Sequence, residues 1–396
     1  MHNEKFDNKA INEKEEIIDK ALINSGNEII PISFELIQKV NLKFLINTNI
    51  YIDRGKFKKI HELSNKNLGI LLGEKLIIIS HKTFQTIKII EPSYNELRSK
   101  YNIIQNQFID FIELKNCDIV LWTSSVILIY NKECNLIQRI DESEHGNICK
   151  REDYDYGSTT YYDINSIYEM KNGKLVSCNS YGLKFYKKEK DKYILISTEK
   201  MEIDVHFIYE IKPNILILLQ KHYDESWDDM EGDDKYLVSI YNIENKNLKE
   251  VFRSRVGSIM GEFKRINYII NKKYLFMCNE KTMEIFNVEK NMENIYIEND
   301  DIYEYENVFF GHQRIMKEEK RISEVFESFS DTLFFGDDNN GNLNIYKFNN
   351  NSLSVFYHFQ INNIMGVIKL KSNDFILYSY HCELYKFTPI YLNKNK

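Results

Sequence analysis

One phrase of the sequence recurs along the chain and restricts its fold more than any other feature. The phrase is an apolar strand, a short turn, a second apolar strand, another turn and a third strand, as in "IDFIELKNCDIVLWTSSVILIYN" from residue 109. Regular self-similarity of this kind is typical of repeat architectures, in which each copy is one supersecondary unit. Seven copies begin near residues 58, 109, 164, 205, 263, 322 and 364.

Each copy accommodates four short antiparallel strands joined by tight turns. Strand-favouring residues are abundant, with 27 Tyr and 24 Phe in 396 residues, because aromatic and β-branched side chains suit a pleated surface. A four-stranded unit that repeats every 40 to 60 residues or so is what a β-propeller requires. We therefore predict an all-β, seven-bladed β-propeller over residues 29–396. A two-domain β-sandwich would also give short strands, but not the same order of turns seven times.

The ends of the third strands resemble those of the WD40-repeat family over about residues 58–390. The aromatic position before the family's Asp is kept, whereas the Asp of its Trp-Asp pair is replaced, and Gly311-His312 is the only Gly-His pair. This resemblance to divergent WD40 members implies a propeller that acts as a non-catalytic protein-interaction scaffold. The segments that carry it are Ile129-Tyr130-Asn131, Phe185-Tyr186-Lys187, Ile240-Tyr241-Asn242, Ile285-Phe286-Asn287 and Ile345-Tyr346-Lys347.

The last copy stops before a fourth strand is complete. A ring has to close, since an open edge strand invites aggregation, and residues 41–53, "NLKFLINTNIYID", have strand character but no copy of their own. We predict that a segment of 41–53 closes the ring. Residues 1–28 are predicted to be a separate helical or disordered extension, which either packs on the surface or docks a partner.

Four insertions interrupt the regular spacing, at 91–107, 141–163, 221–235 and 298–321. Three join the last strand of one copy to the first strand of the next, and 221–235 joins a second strand to a third. In an up-down-up-down unit these two kinds of connection emerge at the same face. Functional residues are often carried by long loops on a rigid scaffold, so we expect function at this face.

The three longest insertions after residue 140 are acidic. Segments 141–163, 221–235 and 298–321 have net charges of −5, −5 and −3, whereas the whole chain has a net charge of −7. Such a field attracts a basic protein segment and repels nucleic acid. The alternative is that these acids only solvate the loops. The predicted partner-binding residues lie in 221–235, where Trp227 either anchors the partner or packs on its own sheet: Asp224, Glu225, Trp227, Asp228, Asp229, Glu231, Asp233 and Asp234.

An alternative hypothesis, binding of a lipid, is based on the segment "VFRSRVG", residues 251–257. This segment resembles part of the Phe-Arg-Arg-Gly element of phosphoinositide-binding propellers, with Phe252 and Arg253 in place and Arg255 shifted by one position. Arg253 and Arg255 would then bind lipid phosphates. The alternative is that they form the polar edge of an outer strand.

No catalytic, cofactor-binding or metal-binding motif is present in the sequence. The nine histidines are scattered, and "GDDNNGNL" at 336–343 lacks the ligand spacing of a calcium loop and reads as a turn between two strands. We therefore expect no catalytic residue, no metal and no cofactor, although a propeller enzyme with a site in its central channel stays open as an alternative.

The sequence favours an intracellular protein. The N-terminus has no apolar signal-peptide core, and no apolar run approaches the roughly 20 residues of a membrane helix. The six cysteines form no CxxC pair and are read as reduced. We expect a cytoplasmic or nuclear subunit of a larger complex, with protein partners.

Overall fold

The computed structural model of the chain describes most of the predicted repeats and little of the insertions. It covers residue 31 and residues 33–42, 57–98, 107–142, 164–179, 182–201, 204–222, 235–244, 247–256, 267–270, 274–278, 283–287, 293–295, 322–330, 332–338, 341–349, 352–379 and 381–391. The predicted N-terminal extension, residues 1–28, lies outside these described residues.

The described strands pair into seven four-stranded antiparallel sheets, numbered here in chain order. In each sheet the strands are called a to d from the first to the last position. Sheet 1 contains β2 (Phe57–Glu62), β3 (Leu68–Leu72), β4 (Lys75–Ile79) and β5 (Thr86–Ile90), and sheet 2 contains β6 (Asp110–Glu113), β7 (Ile119–Trp122), β8 (Val126–Tyr130) and β9 (Leu136–Asp141). A single helical turn, α1 (Tyr94–Leu97), lies between these two sheets in the chain.

Sheets 3 to 5 follow the same plan. Sheet 3 contains β10 (Ile164–Glu169), β11 (Leu175–Asn179), β12 (Gly182–Glu189) and β13 (Lys192–Lys200). Sheet 4 contains β14 (Asp204–Lys212), β15 (Ile215–His222), β16 (Lys235–Glu244) and β17 (Asn247–Val256). Sheet 5 contains β18 (Asn267–Ile270), β19 (Tyr274–Cys278), β20 (Met283–Asn287) and β21 (Glu293–Ile295).

Sheet 6 contains β22 (Ile322–Ser328), β23 (Leu333–Asp338), β24 (Asn342–Asn349) and β25 (Ser352–Asn362). Sheet 7 takes strands a to c from the end of the chain and strand d from its beginning. These strands are β26 (Ile364–Lys369), β27 (Phe375–Ser379), β28 (Glu383–Ile390) and β1 (Ser33–Asn41), in the order β1-β28-β27-β26.

The turn between strands a and b is the same in four sheets. In sheet 2 the amide of Leu114 donates to the carbonyl of Asp118, and the amide of Cys117 donates to the carbonyl of Leu114, both at 2.8 Å. This turn needs one residue in the left-handed region, which Asn and Gly adopt most readily. The position is held by Lys66, Cys117, Gly173 and Asn373, with φ of 67°, 67°, 81° and 64°.

The two central strands of a sheet are buried on both sides, and neighbouring residues face different sheets. In β3, Ile70 belongs to an apolar cluster shared with sheet 7, whereas Leu71 belongs to a cluster shared with sheet 2. Side chains alternate across a strand, so one sheet supplies half of two separate cores. Similar clusters join sheets 2 and 3, 3 and 4, and 6 and 7, and the rings of Phe276 and Phe334 join sheets 5 and 6 with centroids 4.6 Å apart.

Sheet 7 therefore packs against both sheet 6 and sheet 1, which brings the last sheet next to the first. Four-stranded sheets packed face to face around a closed circuit form a β-propeller. The prediction of an all-β propeller is confirmed. The first strands of the seven sheets begin at Phe57, Asp110, Ile164, Asp204, Asn267, Ile322 and Ile364.

The strand that completes sheet 7 is β1, Ser33–Asn41, which pairs with β28 from Ser33↔Ile390 to Asn41↔Glu383. The predicted position of this strand, 41–53, was wrong, and residues 43–56 lie outside the described residues. Residues 41–53 are richer in apolar side chains, but an outermost strand needs few of them. Only Phe34 of β1 is buried among five aromatic rings, while Leu36 and Ile37 are about half exposed.

Truncation from the N-terminus tests this closure. Removing residues 1–28 leaves β1 intact, and we expect cooperative thermal unfolding to be retained. Removing residues 1–41 takes away β1 and its buried Phe34, so the edge of β28 is exposed and the chain should aggregate or lose cooperative unfolding. Differential scanning calorimetry of both proteins makes the comparison. Equal unfolding of the two truncated proteins would contradict closure by β1.

Candidate functional site

The two ends of the sheets carry connections of different length. Because neighbouring strands are antiparallel, the a–b and c–d turns emerge at one end, called the turn face, and the b–c turns and d–a links emerge at the other, called the insertion face. The longest connection between described strands on the turn face is residues 80–85. The insertion face carries five connections of more than ten residues, at 42–56, 91–109, 142–163, 223–234 and 296–321.

The predicted partner-binding residues belong to the connection between β15 and β16. Its two ends are fixed, since His222 pairs with Lys235 across the two strands. All eight predicted residues, from Asp224 and Trp227 through Asp234, fall at 223–234 and lie outside the described residues. The structure thus locates the root of this loop at the insertion face.

Arg139 of β9 ties together the roots of two insertions. Its guanidinium donates to the carbonyl oxygen of Glu96, which lies in α1, at 3.0 Å. It also donates to the carbonyl oxygen of Arg98, the residue that follows α1, at 2.5 Å. It also contacts the carboxylate of Asp141 at 3.0 Å. The guanidinium has several donors in one plane, so a single side chain holds the start of the first insertion against the start of the second.

Glu142, the first residue after β9, is buried at the boundary between sheets 2 and 3. One of its carboxylate oxygens accepts hydrogen bonds from the hydroxyls of Ser177 at 2.5 Å and Tyr186 at 2.6 Å. The other oxygen is paired with the ammonium of Lys184, which also donates to the Glu142 carbonyl at 3.0 Å. Burial, together with the adjacent Glu142 carboxylate, raises the pKa of Tyr186, so its hydroxyl remains a hydrogen-bond donor.

These contacts correct the predicted charge of segment 141–163. Asp141 and Glu142 are 5% and 4% exposed, and each is paired with a base that lies outside the segment, Arg139 and Lys184. A buried, paired carboxylate adds little to the field at the surface. The sequence count included both acids because charge alone does not show which side chains turn inward.

The two arginines of the alternative lipid site lie in β17. Arg253 pairs with Ser239 and Arg255 pairs with Leu237 of β16. β17 begins at the turn face with Asn247 and ends at Val256, so both arginines lie in the half of the strand nearer the insertion face. The strand pairing thus places the two arginines along β17, and lipid binding by them stays a prediction.

The segment at 336–343 forms the turn between β23 and β24, strands b and c of sheet 6. One Asp338 carboxylate oxygen accepts from the backbone amide of Asn342 at 2.9 Å, and Gly341 has a φ of 73°. The carboxylate therefore stabilises the turn. Among the described residues, no group of three or more His, Cys, Asp or Glu side chains is placed to hold a metal ion.

Comparisons with known proteins support the fold. No protein-family model and no curated protein matches the chain. A crystal structure of the mitotic checkpoint complex contains a chain that matches with a TM-score of 0.57, covering 93% of this chain and 96% of that one at 7% sequence identity. This likeness supports the β-propeller fold. In the part of this propeller that is described, no helix is long and apolar enough to cross a membrane.

The turn face of the propeller holds a repeated contact that the sequence analysis missed. At or near its end, strand a carries a glutamate whose carboxylate accepts a hydrogen bond from a backbone amide in the a–b turn of the preceding sheet, at 2.5 to 2.7 Å. We call this contact, with the lysine contact described next, the Glu–Lys link. The four pairs are Ser64 to Glu113, Lys115 to Glu169, Lys171 to Glu210 and, across the closing boundary, Lys371 to Glu62.

In three of the four links, the residue whose amide donates is a lysine that makes a second contact. The ammonium of Lys115 donates to the carbonyl of Met170 at 2.8 Å, that of Lys171 to Ile211 at 2.8 Å, and that of Lys371 to Leu63 at 3.1 Å. Each acceptor directly follows the linked glutamate. The sequence signal for the link is the repeated Glu-apolar-Lys at 113–115, 169–171 and 210–212.

The boundary between sheets 6 and 7 reverses this chemistry. The glutamate position of sheet 7 is Lys369, and the lysine position of sheet 6 is Ser330, directly after Phe329. The Lys369 ammonium donates to the Phe329 carbonyl at 2.9 Å and lies 5.4 Å from the centre of the Phe329 ring. A cation–π contact and a hydrogen bond therefore replace the carboxylate contact at this boundary.

Removing one glutamate tests the Glu–Lys link. Glu210 is 1% exposed and accepts from the amides of both Lys171 and Asn214. Glu210→Ala leaves these donors without their acceptor, and we expect a loss of about 1–3 kcal/mol in the free energy of unfolding, measured by urea titration. The control is Glu189→Ala, an exposed acid on the same face, for which we expect a change within about 0.5 kcal/mol. Equal losses in the two variants would rule out the link as a stabilising contact.

The buried Glu142 pair is tested by a double-mutant cycle. Lys184→Met leaves the Glu142 carboxylate buried without its cation, and we expect a loss of about 3–5 kcal/mol. Adding Glu142→Gln removes the uncompensated charge, so the double variant should be more stable than Lys184→Met alone. Chemical denaturation of the four proteins gives the coupling. A double variant that loses the sum of the single losses would show that the two side chains do not interact.

Proposed function

We propose that this WD40-like propeller is a non-catalytic protein-interaction scaffold and a subunit of a larger complex. We infer that its seven sheets are the seven blades of one ring. The observation that carries the functional proposal is the difference between the faces, because every long connection between described strands emerges at the insertion face. Rigid sheets that carry long loops on one side are a common arrangement for binding. The similar chain comes from a structure of a multiprotein complex, which supports a role in an assembly.

We propose further that the partner presents a basic segment to the insertion face. Without the buried Asp141 and Glu142, the segments 141–163, 221–235 and 298–321 still carry a net charge of −11, more than that of the whole chain. Charge of one sign at one face speeds the approach of an oppositely charged partner and disfavours nucleic acid.

Side-chain contacts that hold the roots of the insertions also support this proposal. Arg139 holds the start of the second insertion to the residues around α1, and Glu142 holds it to sheet 3. Fixed loop roots reduce the conformational entropy that is lost when loops bind a partner. The b–c loop with Trp227 starts from the paired residues His222 and Lys235, and Trp227 is the proposed apolar anchor of the contact.

Neutralising the acidic b–c loop tests this function. The quadruple change of Asp228, Asp229, Asp233 and Asp234 to Asn should slow association with the native partner and flatten its dependence on salt. The reason is that screening limits exposed charges to a range of about 8–10 Å near physiological ionic strength. Trp227→Ala should mainly speed dissociation. Surface plasmon resonance at low and physiological salt, with the partner captured from native cells, separates the two effects.

A matched control changes acids on the other face. Glu133, Glu189 and Asp191 are exposed at the turn face, and their conversion to the corresponding amides should leave partner binding unaltered. Circular dichroism should show the same fold for all variants, since loop tips tolerate substitution. If the partner binds the quadruple variant and Trp227→Ala as tightly as the natural protein, the acidic loops are solvated spacers and the proposed site is wrong.

A further inference from the structure

The turn face carries an excess of exposed lysines. In the described a–b and c–d turns, the exposed acids are Glu133 and Asp191, and Glu133 lies 3.7 Å from Lys132. Asp118 of these turns is buried and paired with Lys188 at 2.8 Å. The exposed bases in the same turns are Lys66, Lys82, Lys115, Lys132, Lys171, Lys190 and Lys371.

The Glu–Lys link accounts for much of this excess. Its glutamates are turned inward, where Glu62 and Glu210 are 8% and 1% exposed and are bonded to backbone amides. Its lysines are exposed and bonded only to carbonyl oxygens, so an ammonium such as that of Lys171 keeps donors free for another ligand. In the three links that contain a lysine, the two charges cancel, but the positive group lies toward solvent.

A second, independent feature surrounds the same face. The exposed large apolar side chains of the described residues all lie within five residues of the turn-face end of a strand. Ile87 is the second residue of β5, Ile194 is the third of β13, and Ile390 is the last of β28, with exposures of 55%, 46% and 39%. The others are Leu36, Ile37, Ile196, Val355 and Tyr391.

At about 3.3 Å per residue, Ile87, Ile194 and Ile390 lie within about 10 Å of the turn face along their strands. Peripheral proteins bury apolar side chains about 5–10 Å into the boundary between lipid headgroups and acyl chains. The turn face therefore combines spread lysines with apolar side chains at its rim. Among the described residues, no exposed large apolar side chain lies at the insertion-face end of a strand, and the long segments of that face are acidic in sequence.

We propose that the turn face binds the surface of an anionic lipid bilayer. The lysines attract the negative headgroups, and the apolar rim residues enter the interface around them. The acidic insertion face then points away from the membrane, and the anionic headgroups repel this face. This site differs from the one built on Arg253 and Arg255, which lie in the half of β17 nearer the insertion face.

Vesicle co-sedimentation tests this proposal with two single variants of one hairpin. Lys190 and Lys200 are both exposed, but Lys190 lies in the c–d turn of sheet 3 and Lys200 at the opposite end of β13. Vesicles of phosphatidylcholine, with and without phosphatidylserine, serve as the probe. We expect Lys190→Glu to weaken binding to the anionic vesicles and Lys200→Glu to leave it unchanged. The triple change of Lys66, Lys82 and Lys190 to Glu should reduce the partition coefficient more than about tenfold.

The apolar rim is tested separately at high salt, where the electrostatic part is screened. Ile87→Ser with Ile194→Ser should reduce the salt-resistant part of vesicle binding, and thermal unfolding should match that of the natural protein because both side chains are exposed. The variant in which the four Asp residues of the b–c loop are changed to Asn should bind vesicles as the natural protein does. Failure of the insertion-face proposal is thus distinguishable from failure of this one.

Three results would overturn the membrane proposal. The first is equal binding to vesicles with and without phosphatidylserine, and the second is an equal effect of Lys190→Glu and Lys200→Glu. The third is binding of a soluble poly-glutamate peptide that depends on the turn-face lysines, together with vesicle binding that is insensitive to the Ile87 and Ile194 changes. That last result would identify an acidic protein segment as the ligand of this face.

Discussion

The structure depends on the burial of both sides of every sheet. A four-stranded sheet with apolar residues at successive positions, such as Ile70 and Leu71 in β3, cannot bury both sides alone. Each sheet needs a neighbour on either side, and a closed circuit supplies this without an exposed end. The first and last sheets then have to meet, and they do so through the cluster that joins sheets 1 and 7.

Closure places different demands on the two ends of the sheets. At the turn face the Glu–Lys link repeats from sheet to sheet, which keeps the connections short and fixes neighbouring a–b turns to each other. At the insertion face, long connections begin from side chains that are firmly held, including Arg139 and Glu142. The two faces are therefore built differently, one from repeated turns and the other from insertions.

The boundary between sheets 6 and 7 shows how one contact can be exchanged for another. Lys369 takes the place of the glutamate and bonds to the carbonyl of Phe329, and an aromatic cluster around Phe34, Phe335 and Phe375 lies behind them. β1 joins this cluster through a single buried ring while most of its other side chains are at least partly exposed. A strand of this kind is hard to identify from hydrophobicity, which is why the closing segment was predicted several residues too late.

The all-β propeller can be predicted from the sequence alone, because the order of strands and turns is a local property that repeats along the chain. The sequence also determined that the turn at 336–343 joins two strands, since Asp, Asn and Gly specify turns over a few residues. Which charges remain at the surface, in contrast, depends on the packing of the sheets. Glu142 and Glu210 are acids like those of the loops, yet contacts with residues 35 to 44 positions away along the chain in sheet 3 draw them inward. Charge position depends on which sheets meet, and no local pattern contains that information.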